Sequence, residues 1–235
     1  MTKKAQEKTM FAEHVLEVRH APSGSFLDVR GFVADYVREA EFLPHWKIDS
    51  NVVLFRDQSD KVVKEGAFAG YRSAGYMAND PQTRNFFPDR AGAFWRLLLK
   101  NGHYRLPALQ RFGARTKVFL PAADSFEQVR KLVYEAVYAA SFRAAIDTRE
   151  SDVSFTVVLS AQAFDMRIMG GPVQPDEVSG YMSFSSPEFA KAGVFLDIDV
   201  YRTNDLAPEK VPQLLHSAVD LTWSNVEKLA TLIGV

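Results

Sequence analysis

The sequence predicts an α+β fold made of two similar strand-helix-strands-helix units, with an antiparallel sheet carrying its helices on one face. Three observations predict it. Two segments one hundred residues apart, Ser25 to Ala40 and Ser125 to Ala140, are identical at seven of sixteen positions, the mark of an internal repeat. Around each of them the hydrophobic period runs in the same order, from two to 3.6, back to two and again to 3.6. The strand-like stretches are joined by short turns, and strands connected that way pair antiparallel.

Residues 1–10 read as a flexible lead-in: Lys3, Lys4, Glu7 and Lys8 stand there without the apolar run that a signal peptide needs. The first unit is expected over residues 11–105. Within it His14 to His20 reads as a strand, Ala21 to Gly24 as a turn, and Phe26 to Ala40 as a helix whose apolar stripe is Phe26, Val29, Phe32, Val33, Tyr36, Val37 and Ala40. Asn51 to Arg56 and Lys61 to Phe68 form a hairpin across Asp57 to Asp60, and Tyr71 to Met77 adds a third strand. Pro88 and Asp89 then open a helix, Ala91 to Lys100, which stops at Asn101-Gly102.

The second unit, residues 106–235, repeats the plan and is expected to pack with the first as one domain. Gly113 to Leu120 is its first strand, and Asp124 with Glu127 makes a capping pair for the helix striped by Phe126, Val129, Val133, Val137 and Ala140. Val153 to Ser160, Phe164 to Met169, Tyr181 to Ser185 and Val194 to Tyr201 read as strands, with Gly170 to Pro175 as a break. Pro208 to Ile233 closes the chain as a long helix. Such an arrangement is analogous to helix-grip and TATA-binding-protein-like folds, an analogy that carries no function. A Rossmann-type sheet is disfavoured, because regular strand-helix alternation and a glycine fingerprint are both missing.

The composition of the 235 residues, 47% hydrophobic and 24% charged, is that of a chain with a substantial core. A net charge of -1 provides no global field for nucleic acid or an anionic membrane. The absence of cysteine excludes disulfides, thiol catalysis and thiolate metal sites. Apolar stretches such as Ala93 to Leu99 are far too short to span a membrane, so a soluble, cytoplasmic protein is expected.

Three segments, Glu13 to Arg19, Gln110 to Val118 and Val194 to Tyr201 ahead of a final helix with His216, carry a resemblance. Together they resemble the sporadically distributed, functionally uncharacterised bacterial and archaeal family of the TIGR collection. In that family the mid-chain motif continues through an aromatic and an asparagine, where this chain has Thr116 and Lys117 after Arg115. The resemblance implies a cytoplasmic prokaryotic protein and no particular chemistry.

Candidate chemistry gathers on the last strand. Alternation sends Val194, Leu196, Ile198 and Val200 to one face and Phe195, Asp197, Asp199 and Tyr201 to the other. Neighbouring carboxylates can hold a hard cation or divide acid and base roles; on a solvated face they are instead answered by Arg115 and Lys117 of the mid-chain strand. Phe119, Phe195 and Tyr201 would set aromatics among those charges, a pattern of recognition surfaces. The five histidines lack the spacing of a helical zinc site, no serine sits in a nucleophile elbow, and Gly170-Gly171 lacks the lysine and helix of a phosphate cradle. Arg84 to Arg96 mixes three arginines with four aromatics, but helical spacing turns Phe94, Trp95 and Leu98 inward.

The expectation is therefore a non-enzymatic interaction protein that binds a macromolecule through Arg115, Lys117, Asp197, Asp199 and Tyr201, on a sheet face or in the groove between its halves. A protein is the expected partner, with a homodimer as one form of it; nucleic acid and membrane are disfavoured and no cofactor is expected. The alternative is an enzyme or small-molecule receptor in which Asp197 and Asp199 hold a metal, and the third reading is nucleic-acid binding.

Overall fold

The computed structural model describes residues 10–58, 63–123, 125–146, 150–161 and 163–235. The lead-in as far as Thr9, the hairpin residues Ser59 to Val62 and Asp124 of the expected capping pair lie outside the described residues. The first part of the chain forms β1 (Phe11–His20), α1 (Phe26–Glu39), β2 (His45–Ile48), β3 (Val52–Arg56), β4 (Glu65–Gly70), β5 (Ser73–Asn79) and α2 (Phe86–Lys100). The second forms β6 (Leu109–Ala123), α3 (Phe126–Val137), α4 (Ala140–Ala145), β7 (Phe155–Ala161), β8 (Phe164–Val173), α5 (Val178–Tyr181), β9 (Ala192–Arg202) and α6 (Val211–Ile233).

All nine of these strands join one antiparallel sheet in the order β2-β3-β4-β5-β1-β6-β9-β8-β7. The two parts meet at its centre, where β1 pairs with β6 and Val15 stands opposite Arg115. In β1 every second residue from Ala12 to His20 is buried, because that face lies under the helices. The core is continuous across both parts, drawing Leu16, Phe55, Tyr76 and Trp95 from the first and Leu196, Ile198, Leu215 and Val226 from the second. Trp95 shows how the layers lock. Its ring is buried, worth about 2–3 kcal/mol by area, and its indole N–H donates to the Pro208 carbonyl (2.7 Å), tying α2 to the turn that leads into α6. Gly234 ends α6 with φ 85°, a left-handed conformation that glycine adopts without penalty. No helix among the described residues is long and apolar enough to cross a membrane.

The helical stripes follow the spacing in sequence with three exceptions: Phe32 on α1 is exposed and stacks on His103 instead (4.7 Å), and Ala40 and Ala140, expected to close the stripes of α1 and α3, are exposed beyond the ends of those helices. The aromatics of Arg84 to Arg96 are spent on the fold. Phe87, Phe94 and Trp95 are buried, Arg90 pairs with Glu65 (2.8 Å), and Arg84 lies over Trp223. Two short elements, β2 and α4, carry no sequence signal, since three of the four β2 residues are exposed and α4 buries none.

Two expectations are corrected. Gly170 and Gly171 do not break the chain but continue β8, where a Cβ on Gly170 would lie 2.7 Å from the Phe155 ring and from a Leu196 methyl. Glycine there makes room for the aromatic across the strand pair. Tyr181 to Ser185 is not a strand. Residues 174–191 run as a strap across the sheet face opposite the helices, through α5 and a 3₁₀ turn at Pro187–Ala190. The period of two in that stretch is real, because Met182 and Phe184 point down and are buried while Tyr181, Ser183 and Ser185 point out. The backbone is simply not part of a ladder. With Val178 and Phe189, the buried residues of the strap cover Phe11 and Phe119 in a second, smaller core.

Candidate functional site: the open face of the sheet

Antiparallel register sets the site. On the face away from the helices, the rungs across β1, β6 and β9 read Glu13, Lys117, Asp197, then Val15, Arg115, Asp199, then Glu17, Gly113, Tyr201. A column of cations on β6 is thus flanked by columns of carboxylates on both sides. The expected residues Arg115, Lys117, Asp197, Asp199 and Tyr201 do share this face.

Each of them has a partner within the chain. Arg115 grips Asp197 with two nitrogens, Nε at 2.8 Å from Oδ1 and a terminal nitrogen on Oδ2, and this hydrogen bonding raises its pKa. The Arg115 side chain is 52% exposed, against 14% for that of Asp197. Asp199 is held not by Lys117 but by Arg111 (2.7 Å), whose guanidinium also lies 5.0 Å from the centre of the Tyr201 ring. Arg111 reaches it by lying over Gly113, where any Cβ would come within 2.4 Å of a guanidinium nitrogen.

Lys117 has a different task. Its ammonium donates to Glu13 Oε1 (2.9 Å) and to the Tyr181 carbonyl of the strap (2.8 Å). The second oxygen of Glu13 accepts the Ser183 N–H (2.6 Å). Burial alone pushes the Glu13 pKa up, but Lys117 and Ser183 outweigh it and hold the carboxyl below its usual range. Lys117 and Glu13 therefore clamp the strap to the sheet. The aromatics expected to be exposed are also partly spent: Phe119 is fully buried beneath the strap, Phe195 is half-buried and stacks against Tyr181 (4.8 Å), and Tyr201 is half-buried beside Arg111.

Beyond the clamp the strap ends and the sheet is bare. A groove of about 330 Å³ opens there, with Val15 and Phe68 as its apolar floor and Arg19, Arg111, Arg115 and Glu17 around it. Arg19 and Arg111 stand directly opposite one another, and Arg19 is drawn to Glu17 (2.8 Å). Sequence reasoning missed Arg111, Arg19 and Glu13. Arg111 has the same strand parity as Arg115, so extending the strand back from Gly113 to Leu109 would have found it.

A divalent cation at Asp197 and Asp199 would have to displace a guanidinium from each. Among the described residues no group of three or more His, Asp or Glu side chains converges on a metal position. His14 and His20 do share a strand face, but it is the helix side: His14 is buried against Thr116 and Phe87, and His20 contacts the Ala21 carbonyl (2.7 Å) and the Tyr104 hydroxyl (3.0 Å). No protein-family model matches the chain, and no curated protein matches it. The functional reading rests on this geometry.

Proposed function

We propose that the chain is a non-enzymatic recognition protein that docks a protein partner on the open sheet face, centred on Arg115, Asp197, Asp199 and Tyr201 and bordered by Lys117. The observation that carries the proposal is the one-sided cover of the sheet. The helix layer occupies one face, the strap stops at Lys117, and the bare remainder presents ordered charges in alternating columns beside an apolar floor. Pre-paired charges of both signs fix the orientation of a partner more than they add affinity. Around the groove and the clamp, four cations, Arg19, Arg111, Arg115 and Lys117, stand against four carboxylates, Glu13, Glu17, Asp197 and Asp199, so this part of the face lacks the cation excess that phosphate neutralisation requires. A protein surface of mixed charge is the better match.

The same proposal includes an internal duplication in the manner of helix-grip and TATA-binding-protein-like folds, and membership in the sporadic family that three segments resemble. Support for the duplication comes from the register. Counted outward from the centre, the strands run β1, β5, β4, β3 on one side and β6, β9, β8, β7 on the other. The hundred-residue offset that aligns α1 with α3 also carries Val15 onto Arg115, and these two residues are direct cross-strand partners. A local two-fold axis normal to the sheet requires such a pair at its centre.

The double variant Arg115→Ala with Asp197→Ala tests the docking face. Removing both members of the pair leaves no buried charge alone, so the melting temperature is expected to stay within about 3 °C of the parent. Capture of the native partner from source cells, measured against the parent protein, is expected to be lost. Retained capture by the folded double variant would reject the proposal.

A further inference from the structure

We propose that β7 is a pairing edge for a second copy of this chain, joining two sheets across a two-fold axis through Val158. The inference stands apart from the docking face and does not depend on it.

β7 is the last strand of the sheet and among the described residues pairs only with β8, so one row of its N–H and C=O groups points outward. Its sequence, Phe-Thr-Val-Val-Leu-Ser-Ala, contains neither a charge nor a proline. Both faces of the strand are open at this edge: Val157 is 40% exposed, Val158 62% and Leu159 38%. Edges that stay unpaired are normally short, charged, bulged or covered. The opposite edge obeys this rule, since β2 has four residues, carries Lys47 paired with Asp49 (3.1 Å), and packs against α1. In the first part of the chain β2 covers the outer side of β3; among the described residues no strand does the same for β7.

The composition of the strand selects the occupant. A charged partner strand would find no countercharge on β7, whereas a second β7 matches it residue for residue. Antiparallel pairing centred on Val158 engages all seven residues and sets Val157 against Leu159, Thr156 against Ser160 and Val158 against itself. Apolar groups meet apolar groups and hydroxyls meet hydroxyls. With the axis normal to the sheet the helix layers of both copies stay on one side, where Val157 and Leu159 close over their counterparts. Phe142, 48% exposed, adds to this margin: its ring lies tilted against that of Tyr138 (5.2 Å), whose hydroxyl donates to the Ser154 carbonyl just ahead of β7. An interface built on one strand is small, so the dimer is expected in the micromolar range.

The absence of native cysteine makes single-cysteine mapping clean. Opposed residues of an antiparallel pair lie about 4.5–5.5 Å apart at Cα, within reach of a disulfide. Under mild oxidation Val158→Cys is expected to cross-link with itself, Thr156→Cys alone is not, and an equal mixture of Thr156→Cys and Ser160→Cys chains is. In sedimentation the parent is expected to move with concentration from 26.4 kDa toward twice that mass, and Val158→Lys, which places two ammonium groups on the axis, to remain a monomer. A parent that is monomeric at its highest soluble concentration overturns the proposal, as does a dimer in which Val158→Cys fails to cross-link. Should Val158→Lys fail to fold, the cysteine series decides by itself.

Discussion

Lys117→Met is expected to destabilise the chain by about 3–5 kcal/mol, the cost of stranding a buried charge by removing its partner. The stranded group is Glu13, whose side chain is only 5% exposed. In the variant its carboxylate keeps the Ser183 N–H and loses the ammonium that also holds the Tyr181 carbonyl. The strap should then lift from Phe11 and Phe119, so hydrogen exchange at residues 181–184 rises while exchange in the β1–β6 ladder changes little. Adding Glu13→Gln to Lys117→Met removes the charge that was left alone and should recover most of the loss. The pH dependence has a defined sign. The folded pKa of Glu13 lies below its ordinary value of 4.5, so the clamp contributes fully above that value and is lost as pH falls through the lowered one. Denaturation midpoints in urea measure all of this; a loss below about 1 kcal/mol would mean that the pair behaves as an exposed one.

The second large effect is a pH dependence from His14. Its ring is fully buried, stacked on Phe87 (4.9 Å) and edge-on to Trp223 (5.7 Å), with Nδ1 2.9 Å from the Thr116 hydroxyl. Burial drives its pKa down from 6.5 to about 3, against a small upward pull from the Glu13 carboxylate. Below pH 6.5 the unfolded chain takes up a proton that the folded chain refuses. The contribution of neutral His14 is therefore complete above pH 6.5 and falls by about 1.4 kcal/mol per pH unit toward pH 3. Between pH 7 and 5 the parent should lose about 2 kcal/mol from this group. His14→Leu starts lower at pH 7, because the Thr116 hydroxyl loses its partner, but its stability should be nearly flat across that window apart from the smaller contribution of His20. Parallel slopes for parent and variant would show that His14 titrates normally in the fold.

How far the sequence reaches is clear from particular elements. β6, β9 and α6 are legible because one-sided burial imposes a period, and Val194 to Tyr201 and Pro208 to Ile233 display it without interruption. The common face of Arg115, Asp197, Asp199 and Tyr201 follows from the same parity. Pairing register does not. That Arg115 takes Asp197 while Asp199 takes Arg111 depends on how β6 slides against β9 and on the missing side chain of Gly113. Tyr181 to Ser185 misleads for a physical reason: any extended segment lying on an apolar surface alternates in burial, whether or not its backbone joins a sheet. Phe119 is misjudged with it, since its cover comes from a segment some seventy residues further along the chain. β2, with its exposed residues and adjacent tight turns, offers no period to read.

The most direct test of the open face is site-specific photo-cross-linking in source cells. A benzoylphenylalanine in place of Tyr201 samples the face, and one in place of Phe32, exposed on α1 in the helix layer, serves as the control. A docking face predicts a discrete protein adduct from position 201, absent from position 32 and lost when Arg115 and Asp197 are both alanine. The same adduct from both positions, or one indifferent to the double substitution, would contradict it.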